Sequence, residues 1–195
     1  LLHGVNEVLP RNSWCIFAGK ITVGMGQRIL AADTTWGEDY VVRTKRVHQY
    51  YVDWYREVAE QIETADYYRR LTLDKYRFKG VDVMREVKHN LRKFDNYAAW
   101  VDTPCMAQRV AVLNSGWGEF ALLFALTHRH IEVIAVEADA DKTQLARYVA
   151  DGLSLKWQAV ETLSAEDMAD AVIFLLNPSV EERARFEGHN VVVIE

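Results

Sequence analysis

The sequence is poor in cysteine and proline, with two cysteines and three prolines among 195 residues. Cys15 and Cys105 lie far apart in apolar or loop segments, so we expect ordinary reduced thiols, which fit a cytoplasmic compartment. No Cys-x-x-Cys pair is present. His128 and His130 flank an arginine at a predicted helix end. Without a cysteine or acid at ligand spacing beside them, no metal site is predicted.

Long apolar runs and a surplus of positive charge are also missing. No run approaches the roughly 20 apolar residues that span a bilayer, and the first residues lack the basic-then-apolar pattern of a signal peptide. A net charge of −5 gives no overall attraction to nucleic acid, so no such partner is expected. Basic clusters at residues 43–46 and 68–79 are interleaved with acids and favour a solvated face, with a phosphate or an anionic membrane surface as the alternative.

The most informative segment is an apolar run at residues 110–113 that ends in a turn containing Gly116 and Gly118. A helical pattern follows, and a second apolar run at 131–136 ends at Glu137. Strand, tight turn, helix, strand and carboxylate are typical of a nucleoside-binding βαβ unit. Glycines let a ligand approach the backbone, a helix N-terminus offers free N–H groups, and the acid can accept both ribose hydroxyls.

This segment resembles motifs I and II of class I S-adenosylmethionine-dependent methyltransferases, whose turn often reads acid-x-Gly-x-Gly-x-Gly. Asn114 stands at the first glycine position, and asparagine tolerates a positive φ. Val112 stands at the acidic position, which removes a plausible anchor for the amino group of the methionine moiety. The resemblance implies S-adenosylmethionine as the cofactor and assigns no catalytic residue. The implied cofactor-binding residues are Asn114, Ser115, Gly116, Gly118, Glu137 and Asn177.

Two of these assignments have an alternative interpretation. The turn at 114–118 can instead be a degenerate turn that is kept for packing a strand on a helix. Asn177-Pro178 follows a predicted strand where the transferred methyl group would lie, and it is similar to the Asn/Asp-Pro-Pro-aromatic motif of methyltransferases that modify amino nitrogens. Ser179 and Val180 replace the second proline and the aromatic residue, so a turn or helix-cap role is favoured for this pair.

Residues 106–195 alternate between strand and helix patterns. The predicted class is α/β, a Rossmann-like, doubly wound and mostly parallel sheet with strand order 3-2-1-4-5. Class I methyltransferases carry two further edge strands, so a truncated form of their fold is expected. The pattern predicts strands at 110–114, 131–137, 155–160, 171–176 and 191–194, helices at 118–128 and 141–151, a short helix from Ser164, and a helix from Ser179 to Gly188.

Residues 1–62 contain Leu2-His-Gly-Val-Asn-Glu-Val-Leu-Pro10 and Gly19-Lys-Ile-Thr-Val-Gly-Met-Gly-Gln27. These segments resemble the C-terminal tail of the lysophosphatidic-acid (1-acylglycerol-3-phosphate) acyltransferase family, a hairpin followed by a long helix. The catalytic His-x4-Asp motif of that family lies upstream of such a hairpin, whereas the one His-x4-Asp spacing in this chain, His48 and Asp53, follows the hairpin in the predicted long helix. This chain is therefore not expected to perform that acyl transfer. Residues 14–17 and 21–25 are predicted β segments. A capping box at Thr35 and Glu38 predicts a helix over 39–62.

Residues 63–105 are predicted as a helical linker with a break at Gly80. Together the two resemblances imply a fragment of a fused bacterial protein in which an MMPL-like exporter, an acyltransferase and a methyltransferase-like domain share one chain. The implied partners are the rest of that chain and, through it, a lipid or membrane surface at the cytoplasmic face; a homo-oligomer is possible. Two hypotheses stay open: an active methyltransferase, and a non-catalytic Rossmann-fold domain for binding or scaffolding.

Overall fold

The computed structural model describes residues 2–3, 22–27, 29–30, 34–93 and 105–194. The predicted β segment at 14–17, Cys15 and the loop at 102–104 lie outside the described residues. A short 3-10 turn at Thr34–Trp36 precedes the first helix. The strands and helices, in chain order, are β1 Leu2–His3, β2 Thr22–Val23, α1 Tyr40–Ile62, α2 Ala65–Tyr76, α3 Val81–Lys93, β3 Arg109–Leu113, α4 Glu119–Thr127, β4 Glu132–Val136, α5 Ala140–Ala150, β5 Trp157–Val160, α6 Ala165–Ala169, β6 Val172–Leu176, α7 Val180–Arg185 and β7 Val191–Ile194.

Strands β3 to β7 form one five-stranded sheet in the order β5-β4-β3-β6-β7. Every neighbouring pair is parallel, so the predicted Rossmann-like α/β fold and its 3-2-1-4-5 order are confirmed. Val110 of the central strand pairs with Val133 on one side and Val172 on the other. The strands are continuous apolar runs because helices cover both faces of a parallel sheet.

Helix α4 lies between the sheet and two helices from the preceding segment. Phe120 and Phe124 belong to the core on the sheet side. Leu122 and Leu126 belong to a second core built with α2 and α3. The other fully buried contributors from α2 and α3 include Tyr76, Val87 and Leu91. The segment predicted as a linker therefore shares a hydrophobic core with helices α4 and α5 of the Rossmann-like part.

Most helix starts and ends lie close to the predicted residues, and two differ from the prediction. Gly80 separates α2 from α3 with φ +115°. The capping box predicted at Thr35 is wrong: Asp39, in an extended conformation, caps α1 and accepts from the Val41 N–H. Thr35 instead belongs to the 3-10 turn. Helix α7 ends at Arg185, earlier than the predicted end at Gly188.

Helix α1 packs in a different way from the other long elements. None of its side chains is fully buried. Its aromatic face contacts the short described N-terminal stretch: a Cβ added to Gly26 would lie 2.9 Å from the Trp54 ring, and the Gln27 N–H donates to the Tyr50 hydroxyl at 3.1 Å. Within the described ranges, no helix has the length and apolar character needed to cross a bilayer.

Candidate functional site: the glycine turn after strand β3

The carboxyl ends of β3 and β4 bring the predicted turn and the predicted acid together. The Gly116 N–H donates to Oε2 of Glu137 at 2.9 Å. The Ser115 N–H donates to the carbonyl of Val136, the last residue of β4, at 3.1 Å. Parallel strands with neighbouring carboxyl ends form the crevice in which open α/β sheets bind ligands. The structure thus brings Glu137, Ser115 and Gly116 together at this edge of the sheet.

Glycine is required at positions 116 and 118 for different structural reasons. Gly116 (φ +58°) and Gly118 (φ +82°) both adopt left-handed conformations, which glycine reaches without steric cost. A Cβ on Gly118 would also come within 2.9 Å of the Ala146 Cβ on α5. The Gly118 N–H closes the turn onto the Ser115 carbonyl at 2.9 Å. Residues 114–118 therefore form a tight turn that connects β3 directly to α4.

Asn114 has the predicted positive φ, at +57°. Its Nδ2 donates to the Leu176 carbonyl at 3.3 Å and to Oε1 of Glu182 at 3.1 Å. The backbone N–H of Ser179 and the Asn114 amide both hold the pKa of Glu182 below its usual value. The side chain of Asn114 therefore ties the turn to the end of β6 and to α7. Val112, at the position of the missing acid, is fully buried in the core.

Asn177 stands at the carboxyl end of β6, on the same edge of the sheet. It is exposed, has φ +44°, and donates its backbone N–H to the Ile194 carbonyl at 2.8 Å. The helix cap that follows is formed by Ser179 and Glu182, which make a reciprocal capping box. Asn177 thus occupies a turn after β6, and the capping role predicted nearby belongs to Ser179.

Asp139, which lies two residues after Glu137, is the N-cap of helix α5. Its Oδ1 accepts from the N–H groups of Asp141 and Lys142 at 3.0 and 3.2 Å. The Asp139 N–H in turn donates to Oε1 of Glu137 at 3.3 Å. The acid that faces the glycine turn is therefore Glu137, and Asp139 begins helix α5.

A second acid, Glu119, lies beneath the turn and was not predicted. It is the first residue of α4 and is 2% exposed. Oε1 accepts from Asn90 Nδ2 of α3 at 2.6 Å, while Oε2 is buried and has no hydrogen-bond partner among the described residues. Burial raises the pKa of Glu119 to about 7. Its one signal in the sequence is an acid at the start of an otherwise apolar helix.

Other polar groups surround Glu119 at the base of the turn. The buried Tyr76 hydroxyl of α2 donates to the Trp117 carbonyl at 2.8 Å, and burial raises the pKa of Tyr76. The hydroxyl of Ser115 is buried and, within the described part of the chain, has no hydrogen-bond partner. Unpaired buried polar atoms cost about 1–3 kcal/mol each and call for a cause such as water, strain or a ligand. Two such oxygens, from Ser115 and Glu119, therefore flank Gly116.

A charged pair joins α3 to α5 beside the turn. Lys142 Nζ lies 3.3 Å from Oε1 of Glu86 and 5.4 Å from the centroid of the Trp117 ring. Both side chains are partly exposed, so the pair adds about 1 kcal/mol or less to stability. Its effect is geometric, since it holds α3 against the N-terminus of α5 on one side of Trp117.

His128 and His130 do not converge on a metal-binding arrangement. His128 is buried, stacks on Phe124 with ring centroids 4.3 Å apart, and has its Nδ1 2.8 Å from the Thr127 hydroxyl. His130 is exposed at the following turn. Over the described ranges, no group of three or more His, Cys, Asp or Glu side chains is arranged to hold a metal ion.

Comparisons with known proteins provide no relative for this arrangement. No protein-family model matches the sequence, and no curated protein or solved structure matches it. The function is therefore inferred from the glycine turn, Glu137 and Glu119, together with the position of these residues on a parallel sheet.

Proposed function

We propose that the crevice at the carboxyl ends of β3 and β4 binds S-adenosylmethionine, and that this domain is a methyltransferase-like domain. The observation that carries the proposal is the 2.9 Å hydrogen bond from the Gly116 N–H to Oε2 of Glu137. It places an acid from the second strand directly against a glycine turn from the first strand. This pair is the arrangement that a nucleoside needs for its ribose and for the adjoining part of the ligand.

The residues present fit such a cofactor. A carboxylate offers about four acceptor positions, and the bonds from Gly116 and Asp139 use two of those on Glu137. The remaining positions can accept two ribose hydroxyls. Gly116 has no side chain to cover the turn, and the buried Ser115 hydroxyl without a described partner lies next to it. These features together support a ligand at this turn.

When bound, S-adenosylmethionine supplies an electrophilic methyl group. The chain's own contribution is to bind and orient, since methyl transfer needs little beyond correct positioning of the acceptor. Glu137 fixes the ribose, and the turn fixes the adjoining part of the ligand. Asn177 and Pro178 lie at the end of β6 on the same edge, so we propose that the methyl acceptor approaches from that side.

The test is a calorimetric titration of S-adenosylmethionine and S-adenosylhomocysteine into the purified chain. Glu137→Ala should weaken binding by about 1.5–3 kcal/mol, because charged hydrogen bonds to the ribose are lost. The matched control is Glu161→Ala, since Glu161 is an exposed acid directly after β5, as Glu137 is directly after β4. We expect the control to bind like the unmodified chain. Equal weakening by both variants, or no binding at millimolar ligand, would contradict the proposal.

A second candidate is a non-catalytic binding or scaffolding domain. The observation in its favour is Asn114, whose side chain bonds to β6 and α7 at a position where the methyltransferase turn has glycine. Asn114→Gly removes these bonds and restores the family residue. If neither the unmodified chain nor this variant binds the cofactor or its product, the scaffolding function is the one that stands.

The acyltransferase expectation for residues 1–62 stays a prediction. The described part of that region contributes helix α1 and the antiparallel pairing of Leu2–His3 with Thr22–Val23. The fused parent protein, its lipid substrate and its position at the cytoplasmic face of a membrane are likewise proposals that rest on the resemblance alone. Incubating the purified chain with phosphatidylglycerol vesicles in a flotation assay would test whether these residues contact lipid.

A further inference from the structure

We infer that Glu119 binds the ammonium group of the amino-acid end of the nucleoside ligand. This inference rests on the proposed function and goes further, because it assigns one buried residue to one chemical group. The ligand class that it implies is an adenosyl amino acid rather than a simple adenosine or a dinucleotide. Glu119 would then be a binding residue of the crevice.

The first argument is the position of the carboxylate relative to the turn. A Cβ built on Gly116 would lie 3.5 Å from both Oε1 and Oε2 of Glu119. The carboxylate thus lies on the side of Gly116 where another residue would carry its side chain. Oε1 is held by Asn90 at 2.6 Å, which orients the group and leaves Oε2 as the oxygen without a described partner.

The second argument is the charge around Glu119. Its surroundings on neighbouring elements are the buried Tyr76 of α2, Asn90 of α3, and Glu86 of α3, whose negative charge disfavours ionisation of Glu119. Lys142 of α5 is paired with Glu86. The Asn90 amide and the backbone N–H groups of Trp117 and Glu119 favour the ionised form, but burial outweighs them. A buried carboxylate stays costly unless a cation joins it. An ammonium group at Oε2 would satisfy both the charge and the unused acceptor.

The third argument is the residue that the turn lacks. In the methyltransferase motif an acid stands where this chain has Val112, and Val112 is fully buried between apolar neighbours. Glu119 lies at the opposite end of the same turn. It therefore supplies a carboxylate to the same loop from the helix side, so a site of this design can hold an ammonium group without an acid at position 112.

The test compares two ligands that differ only at the amino-acid end. S-adenosylhomocysteine carries the ammonium group, and 5′-methylthioadenosine has the same nucleoside without it. In calorimetric titrations, Glu119→Gln should weaken the affinity for S-adenosylhomocysteine by about tenfold or more, as expected for loss of a charged hydrogen bond. The affinity for 5′-methylthioadenosine should change by less than about twofold. Glutamine keeps the shape of the side chain. Glu161→Gln is the control, with no change expected for either ligand.

A second measurement uses the unmodified chain and does not depend on any variant folding. Because the pKa of Glu119 lies at about 7, ionisation on binding a cation should make the affinity for S-adenosylhomocysteine rise by about tenfold between about pH 6 and 8. The affinity for 5′-methylthioadenosine should stay flat. If both ligands respond equally to pH and to Glu119→Gln, or if neither responds, the inference is overturned while the proposed function stands. If neither ligand binds the unmodified chain, both fail together.

Discussion

Helices α4 and α1 show two opposite ways in which this chain uses a helix. Helix α4 has nine residues, of which eight are buried. Helix α1 has 23 residues, none of them fully buried. Burial of apolar surface, rather than helix length, supplies most of the stability of a helix in a protein. The short helix therefore carries the core and the candidate site, while the long one contributes a surface.

Truncating one side chain in the core should distinguish the two helices most strongly. Phe124 of α4 is 3% exposed and meets Phe174 of β6 edge-on with ring centroids 5.2 Å apart. Phe124→Ala should lower the free energy of unfolding by about 3–5 kcal/mol, through lost burial and a new cavity. Tyr55→Ala on α1 is the matched aromatic control. Its side chain is 42% exposed, so we expect a loss of about 1 kcal/mol or less.

Urea unfolding followed by circular dichroism measures both variants. A loss at Tyr55 that equals the loss at Phe124 would mean that α1 is covered in solution, and the comparison between the helices would then fail. The ranking does not depend on absolute stability, because each variant is compared with the same unmodified chain.

The fold was predictable because its signals are local. Apolar runs such as 110–113 and 171–176 have no polar face, which indicates strands buried on both sides. The glycines at 116 and 118 mark the turn that only residues with left-handed freedom can form. From these runs the parallel order follows, since crossovers are right-handed. The meeting of Gly116 with Glu137 follows in turn from the strand order.

The missed features depend on neighbours that are distant in sequence. An acid at a helix start, like Glu119, usually indicates a solvated residue that favours the helix dipole. Here α2 and α3 cover it, and that packing has no local signature. The capping box at Thr35 failed for a related reason. Its spacing fits the motif, but the residues form a 3-10 turn, and Asp39 lies closer to the first helical residue.

Glu119, the buried acid on α4, should make the stability of the chain depend on pH. Glu119 has a folded pKa of about 7 against an ordinary value of 4.5, so the folded state holds a proton that the unfolded state releases. The stabilisation is complete below about pH 4.5 and is lost as pH rises through 7. Relative to Glu119→Gln, the unmodified chain should lose on the order of 3 kcal/mol across that window.

Chemical unfolding at a series of pH values measures this difference. The control is Glu60→Gln on α1, an exposed acid that should change little at any pH. If the free energies of unfolding of the unmodified chain and of Glu119→Gln change with pH in the same way, the Glu119 carboxylate is solvated. Helices α4 and α1 would then not differ in the electrostatic environment of their acids.

A weaker effect is expected at the residue that caps the start of α1. The Asp39 carboxylate accepts the Val41 N–H at 3.2 Å, so Asp39→Ala should cost about 1 kcal/mol of helix stability. Thr35→Ala should not loosen the first turn of α1, because the cap predicted for Thr35 does not form. Since no side chain of α1 is fully buried, the loss should appear as local fraying, measured by faster amide hydrogen exchange at residues 41–44 with little change in global unfolding. Faster exchange in Thr35→Ala but not in Asp39→Ala would reverse this assignment of the cap. Exchange of α4 amides should be the same in both variants, since that helix is held by its core rather than by its cap.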